Sequence, residues 1–368
     1  MISPKIFNTE KSLESYKHPS LFLGEDTGLF DTVNKQYPKI WGFYKEMKSL
    51  DWSEDEFDYS QCLIDFKTCP KDTADFMIET LAWQWEADTV ASRSTIGILA
   101  PLVSSSEAWA AYQRISDNEV VHAATYSEIV RMSFDNPDEV IKKILSAKES
   151  LTRLESISKV FEDMRIMSLR YALGEIDRND EALYHQIILM AVATLMLERI
   201  QFMASFAITF SICGTGLFQP IGKAIQKIAQ DELEVHSEFG KEVIRTEKKT
   251  ERGARALEIL KPKIQALFDE VIESELSWLD HLFSNGRSLI GTNLEICKKW
   301  VLFNARDVSQ FLGLTSTHKL PKVNPMPYME TWLNMNKTQS APQEQDQAAY
   351  KVGSVFNDDE SSNFDVDF

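Results

Sequence analysis

Residues 115–131, ISDNEVVHAATYSEIVR, decide the fold. Ile115 and Ile129 bracket a stripe at helical spacing, and the positions between them on that stripe are Glu119, His122 and Tyr126. Apolar residues at i, i+3 and i+4 mark the face a helix buries. Here a carboxylate, an imidazole and a phenol fill three consecutive core positions. One such helix is unremarkable, because a lone buried acid usually finds an Arg or Lys, and a lone tyrosine usually finds a partner for its hydroxyl.

Three further helices repeat the anomaly. Ile78, Leu81, Trp85, Asp88 and Ala91 form a stripe that includes Asp88, while Glu86 points nearly opposite. In IILMAVATLMLERIQFMASF, residues 187–206, Glu198 shares a face with Leu195, Phe202 and Ser205 after an almost wholly apolar lead-in. In FQPIGKAIQKIAQDELEVH, residues 218–236, Ile225, Ile228 and Glu232 share a stripe, with His236 one turn beyond. Spacing alone is weak: Glu181 and His185 also stand four apart, and they read as surface residues.

Four acids on four helix interiors bring several negative charges into one low-dielectric core. Left uncompensated, each costs several kcal/mol, so they require cations or protons. Two divalent metals neutralise four carboxylates, and two imidazoles add neutral nitrogen ligands. One acid from each of two helices, with a Glu-plus-His pair from each of two others, is the ligand pattern of di-metal carboxylate bundles. Oxygen-rich ligation with some imidazole suits iron or manganese rather than zinc or copper. The expected fold is all-α.

Composition bounds the rest. The chain has 368 residues, 43% of them hydrophobic, with only 14 glycines and little β-branched alternation, which disfavours an all-β or nucleotide-binding α/β fold. A net charge of −17 argues against nucleic acid or an anionic membrane as partner. No apolar signal segment opens the sequence, and the longest apolar run, Ile187 to Leu197, is too short for a bilayer span. Cys62, Cys69, Cys213 and Cys297 form no CxxC pair and read as reduced thiols, three of them core filler. A soluble, cytoplasmic protein is expected.

The organisation reads as an N-terminal arm with short helices (1–65), a helical body (66–320) and an extended tail (321–368). Helix breaks are expected at Pro101, Asn136-Pro137, Gly214 to Pro220 and Gly286. From Gln339 the tail is acidic and polar, so disorder in isolation is expected. It nevertheless carries spaced anchors, among them Tyr350, Val355, Phe356, Phe364 and Phe368.

These residues resemble the small, radical-generating subunit of class I ribonucleotide reductase, over nearly the whole chain. DNEVVHAATYSEIVR is similar to the family's Glu-x-x-His followed four residues later by the radical tyrosine, which implies those roles for Glu119, His122 and Tyr126. The resemblance implies a ferritin-like bundle whose metal ligands are Asp88, Glu119, His122, Glu198, Glu232 and His236. It further implies Phe202, Phe206 and Ile228 as an apolar wall near Tyr126. SLDWSEDEFDYS resembles the family's N-terminal tryptophan segment and gives Trp52 a radical-transfer role, with Asp231 hydrogen-bonded to it and coupling it to His122. PQEQDQAAYKVG resembles the C-terminal motif with its redox-active tyrosine, pointing to Tyr350 and Glu344. The last residues, NFDVDF, would dock on a large subunit that holds the nucleotide, so no nucleotide binding is expected here.

The implied cofactor is two iron ions per chain, with manganese possible, and the implied partners are molecular oxygen, the large subunit and a second copy of the chain. A ferritin-like di-metal oxidase or monooxygenase component is the alternative; it would lack the Trp52 segment and the Tyr350 tail. One departure stands out. The family has Glu-x-x-His on its fourth helix, whereas QDELEVH puts His236 at i+4 from Glu232. Spacing of i+4 still puts both side chains on one face, and a single π-bulge would absorb the extra residue.

Overall fold

The computed structural model describes residues 17–25, 29–146 and 152–333. Among them there is no strand, only an isolated bridge between Phe22 and Val103. The helices are α1 (Pro38–Ser49), α2 (Ser60–Thr68), α3 (Lys71–Leu99), α4 (Ser106–Ser133), α5 (Pro137–Ser146), α6 (Glu155–Ala172) and α7 (Glu181–Met196). They continue as α8 (Phe202–Cys213), α9 (Gln219–Gln230), α10 (Ser237–Lys248), α11 (Glu251–Leu282), α12 (Leu294–Leu312) and the single turn α13 (Met329–Trp332). Short π-helical stretches join α7 to α8 (Leu197–Gln201) and α9 to α10 (Asp231–His236), so each pair forms one long rod with a widened turn inside.

Local chemistry explains the ends. Ser105 accepts from the Ala108 N–H at 3.2 Å, and Asp180, Thr250 and Asn293 cap α7, α11 and α12 in the same way. Each cap satisfies one of the amides a helix start leaves unpaired. Pro137 opens α5, where its missing N–H costs nothing. The four expected breaks all fall at helix boundaries, with Pro137 and Pro220 in the first turns of α5 and α9.

The central bundle consists of α3, α4, the α7–α8 rod and the α9–α10 rod. α3 lies along α4 and also packs on α8, α10 packs on α7, and the two widened turns touch each other. This ferritin-like arrangement puts both irregular turns at mid-height in the core. The helical run Glu181–Cys213 is longer than its apolar segment suggested and could cross a bilayer by length and composition. However, 83% of its most apolar window is buried in the protein, as in a core helix. In α3 the stripe is phased slightly differently from the expectation: Trp83, Gln84 and Asp88 are buried, while Ile78 and Trp85 are only half-buried.

Candidate metal centre

All six expected ligands converge. Asp88, Glu119, His122 and Glu232 form one group of donors, and Glu119, Glu198, Glu232 and His236 a second, with the donor atoms of each group within 4.8 Å of one another. Every one of these side chains is buried. Glu119 and Glu232 belong to both groups, and their two oxygens divide between them. His122 Nδ1 faces Glu232 Oε1 at 3.0 Å and Glu119 Oε2 at 3.5 Å. His236 Nδ1 faces Glu232 Oε2 at 2.9 Å and Glu119 Oε1 at 3.5 Å. Two carboxylates therefore span two neighbouring positions, and Asp88 and Glu198 lie at opposite ends.

The widened turn makes this possible at His236. At i+4 in a regular helix, His236 would lie about 40° round the axis from Glu232, on the same face. The π-helical stretch Asp231–His236 takes up the extra residue and brings its Nδ1 onto Glu232. A second widened turn, Leu197–Gln201, carries Glu198. No irregular spacing in the sequence announces that one.

Several polar atoms here are buried without a hydrogen-bond partner: both oxygens of Asp88, Glu119 Oε2, Glu198 Oε2, Glu232 Oε1 and His122 Nδ1. Native cores satisfy nearly all such atoms. A convergent set of orphaned oxygens with two imidazole nitrogens is what a pair of hard-to-borderline divalent cations would satisfy. The residues present therefore fit a di-metal centre.

The electrostatics agree. Burial pushes the Asp88 and Glu198 carboxyls well above the usual range, and neighbouring carboxylates (Glu119 for Asp88, Glu232 for Glu198) push in the same direction. Burial disfavours a charged His236, but Glu232 and Glu119 more than offset this and raise it to about 10. His122 is raised likewise by Asp231, Glu119 and Glu232 against its burial.

The ring nitrogens away from the cluster are held from behind. His122 Nε2 lies 3.1 Å from Asp231 Oδ2, and the Trp52 Nε1–H donates to the same oxygen at 2.9 Å. The Trp52 and His122 rings are stacked at 5.9 Å. With Nε2–H on Asp231, the Nδ1 lone pair of His122 points into the cluster. His236 Nε2 is 3.4 Å from the side-chain nitrogen of Asn118. The amide turned by half a rotation, with the same shape, offers Oδ1 to an Nε2–H and fixes the equivalent tautomer.

Tyr126 is buried, its hydroxyl lacks a hydrogen-bond partner, and burial together with Asp88 and Glu232 raises its pKa well above 10. Phe202, Phe206 and Ile228 are fully buried in the same core, with the two phenyl rings stacked at 5.6 Å. Glu181 and His185, the decoy pair, lie apart from the cluster with Glu181 exposed. Tyr350 and Glu344 fall outside the described residues.

Three contributors escaped the sequence reading. Asn118 sits beside Glu119 but off the polar stripe. Gln84, one turn before Asp88, is buried with both amide atoms unpaired. Arg153 is buried between Trp83 and Trp278, 3.8 and 3.6 Å from their ring centres. It pairs with Glu275 and donates to the Gln201 carbonyl in the widened turn at 3.0 Å. None of the three follows a motif.

Two adjoining acid-and-histidine clusters inside four helical rods define a di-metal carboxylate protein of the ferritin-like type. Within that class, the chain belongs to the ribonucleotide reductase small-chain family, whose model matches residues 29–325. It is accordingly the small subunit of a ribonucleotide-reducing oxidoreductase. It is 27% identical over 365 residues to the ribonucleoside-diphosphate reductase subunit beta of Haemophilus influenzae, covering 96% of each chain. The ribonucleotide reductase R2 subunit from Clostridium botulinum shares the fold, with a TM-score of 0.75 at 18% identity over 90% of this chain and 99% of that one. The dimanganese(II)-NrdF of Streptococcus sanguinis matches with a TM-score of 0.64 at 16% identity, covering 82% and 98%.

Proposed function

We propose that this subunit holds a one-electron-oxidised Tyr126 and passes the oxidising equivalent through Trp52 and Tyr350 to a cysteine of a large subunit, where ribonucleotides are reduced. The observation that carries this reading is the continuous chain Trp52–Asp231–His122, joined through one carboxylate oxygen. It links the edge of the metal cluster to a half-buried indole, and a purely structural metal site has no use for such an exit.

Two iron ions, or manganese in their place, would supply the oxidising power by activating dioxygen when bound by Asp88, Glu119, His122, Glu198, Glu232 and His236. Everything else falls to the side chains. Tyr126 stays protonated because burial and the facing carboxylates raise its pKa, so losing an electron means losing its proton too. Asp88, the first carboxylate acting on it, is placed to accept that proton. The radical then persists because Phe202, Phe206 and Ile228 keep water and reductants away.

At Trp52 the same logic holds. Lys227 Nζ lies 5.7 Å from the indole ring and disfavours a net positive charge there. The Nε1–H already rests on Asp231, which can take the proton as the electron leaves. Tyr350, with Glu344 near it in sequence, would continue the path, and the C-terminal residues would dock on the large subunit. A homodimer follows from the family resemblance. Four unpaired cysteines support a reducing, cytoplasmic setting.

The test is reconstitution with ferrous iron and oxygen, followed by metal analysis and EPR spectroscopy. A tyrosyl signal is expected, absent in Tyr126→Phe with metal retained. Full metal loading with no radical in the natural chain would refute the proposal. Tyr350→Phe should keep the radical and abolish turnover with the large subunit.

A further inference from the structure

Arg153 is a fully buried cation that stability alone does not explain. Its Nε and Nη2 donate to the two oxygens of Glu275 at 2.9 and 2.7 Å, and its guanidinium is held between the rings of Trp83 and Trp278. A buried ion pair of this kind is seldom worth more than well-packed apolar side chains of similar volume. What an arginine adds is a rigid fork of five donors, and donors remain after Glu275 is satisfied.

Those donors go to the widened turn that carries Glu198. Nη2 reaches the Gln201 carbonyl at 3.0 Å, and Nη1 reaches the Ser205 hydroxyl at 3.3 Å. The contact is returned, because the Gln201 side chain donates to the Arg153 carbonyl at 2.6 Å. Trp83, stacked on the guanidinium, also meets Phe202 edge-on at 5.0 Å, at the first residue beyond the turn. Leu197–Gln201 is thus gripped from outside the rod, three residues past Glu198. A π-helical turn interrupts the regular ladder of a helix, so an outside donor matters most there. At Asp231–His236 the spacing of two ligands calls for such a turn; at Leu197–Gln201 no spacing does, and the support comes from Arg153.

We propose that Arg153 is a positioning residue of the metal centre: by gripping Gln201 and Ser205 it holds the widened turn in place and keeps Glu198 on the His236 side of the cluster. This rests on the reading of the cluster as a metal site, and not on the radical chemistry proposed for Tyr126.

The test replaces the ion pair without stranding a charge. Arg153→Met combined with Glu275→Leu fills the space with apolar atoms and should unfold at a urea concentration close to that of the natural chain, yet it offers the turn no donor. In the metal-free protein, amide hydrogen exchange at residues 197–205 should then accelerate at least about tenfold, while residues 231–236 stay as they were. In anaerobic titrations with manganous ion, the Glu198–His236 half should bind about 10–100-fold more weakly. EPR at two equivalents should accordingly show an isolated ion where the natural chain shows a coupled pair. Gln201→Leu leaves the ion pair intact, removes the return bond, and should shift both readings in the same direction by less; it decides the matter if the double variant does not fold. Unchanged affinity for the second ion would overturn the proposal, and so would equal acceleration of exchange at both widened turns, which marks general loosening. A natural chain that takes up no pair of manganous ions would count against the metal reading, and the exchange contrast would then decide whether Arg153 holds the turn.

Discussion

Loading the site with metal should release about four protons per chain at pH 7. The four clustered carboxylates carry −4 when ionised, and either two divalent ions or four protons cancel that charge. In the absence of metal, the structure shows where protons would sit. Asp88 and Glu198 are pushed well above the usual carboxylate range by burial, reinforced by Glu119 and Glu232 respectively. His122 and His236 are raised despite burial by the carboxylates around them, His236 to about 10. Each of the four therefore holds its proton more tightly than it would in water and must give it up to become a ligand. The sign follows: raising the pH removes the competing protons and tightens binding. At about 1.36 kcal/mol per proton per pH unit, loading both metals should gain about 5 kcal/mol per unit near neutrality. Calorimetric titration with manganous ion in buffers of different ionisation enthalpy counts the protons. Release of one proton or none would refute the reasoning, since the cluster would then be neutralised by something other than protons before metal arrives.

Three further outcomes are expected. Asp231→Asn leaves one side-chain oxygen where Trp52 Nε1–H and His122 Nε2–H now share a carboxylate; metal content and the Tyr126 radical should survive, while turnover with the large subunit falls by about 10–100-fold. Arg153→Ala strands Glu275 in the core, and urea denaturation should show a loss of about 3–5 kcal/mol, partly recovered by adding Glu275→Gln. Burial raises the Asp307 pKa, but Lys241 at 2.7 Å and Arg199 at 3.0 Å more than reverse this and hold it below the usual range. Its contribution is therefore present above pH 4 and lost as the pH falls below that. The side chain is 39% exposed, so Asp307→Asn should cost only about 0.5–1 kcal/mol at pH 7 and nothing measurable near pH 2.

The bundle and the six side chains that cluster in it were legible because a buried carboxylate is conspicuous on an apolar stripe: Glu198 follows eleven apolar or small residues from Ile187, and no surface helix looks like that. The widened turn at Asp231–His236 was legible for a different reason, since a histidine one residue out of step needs a backbone remedy. The turn at Leu197–Gln201 left no trace, because Glu198 has no sequence partner whose spacing could be wrong. Arg153 was invisible in principle. An arginine gives no sign in sequence of which aromatic faces will close on it, and Trp83, Trp278 and Glu275 come from segments up to 195 residues apart. The phase error in α3 arose where Trp83 and Trp85 compete for the core and periodicity alone cannot choose between them.

The widened turn at His236 has a consequence for how relatives are recognised. A one-residue insertion in a helix normally turns everything beyond it by about 100°, yet here the backbone swallows it and the imidazole still arrives. A search written as Glu-x-x-His would pass over this chain and count it as metal-deficient. What the fold preserves is a direction in space, and the number of letters between two ligands is only its usual shadow.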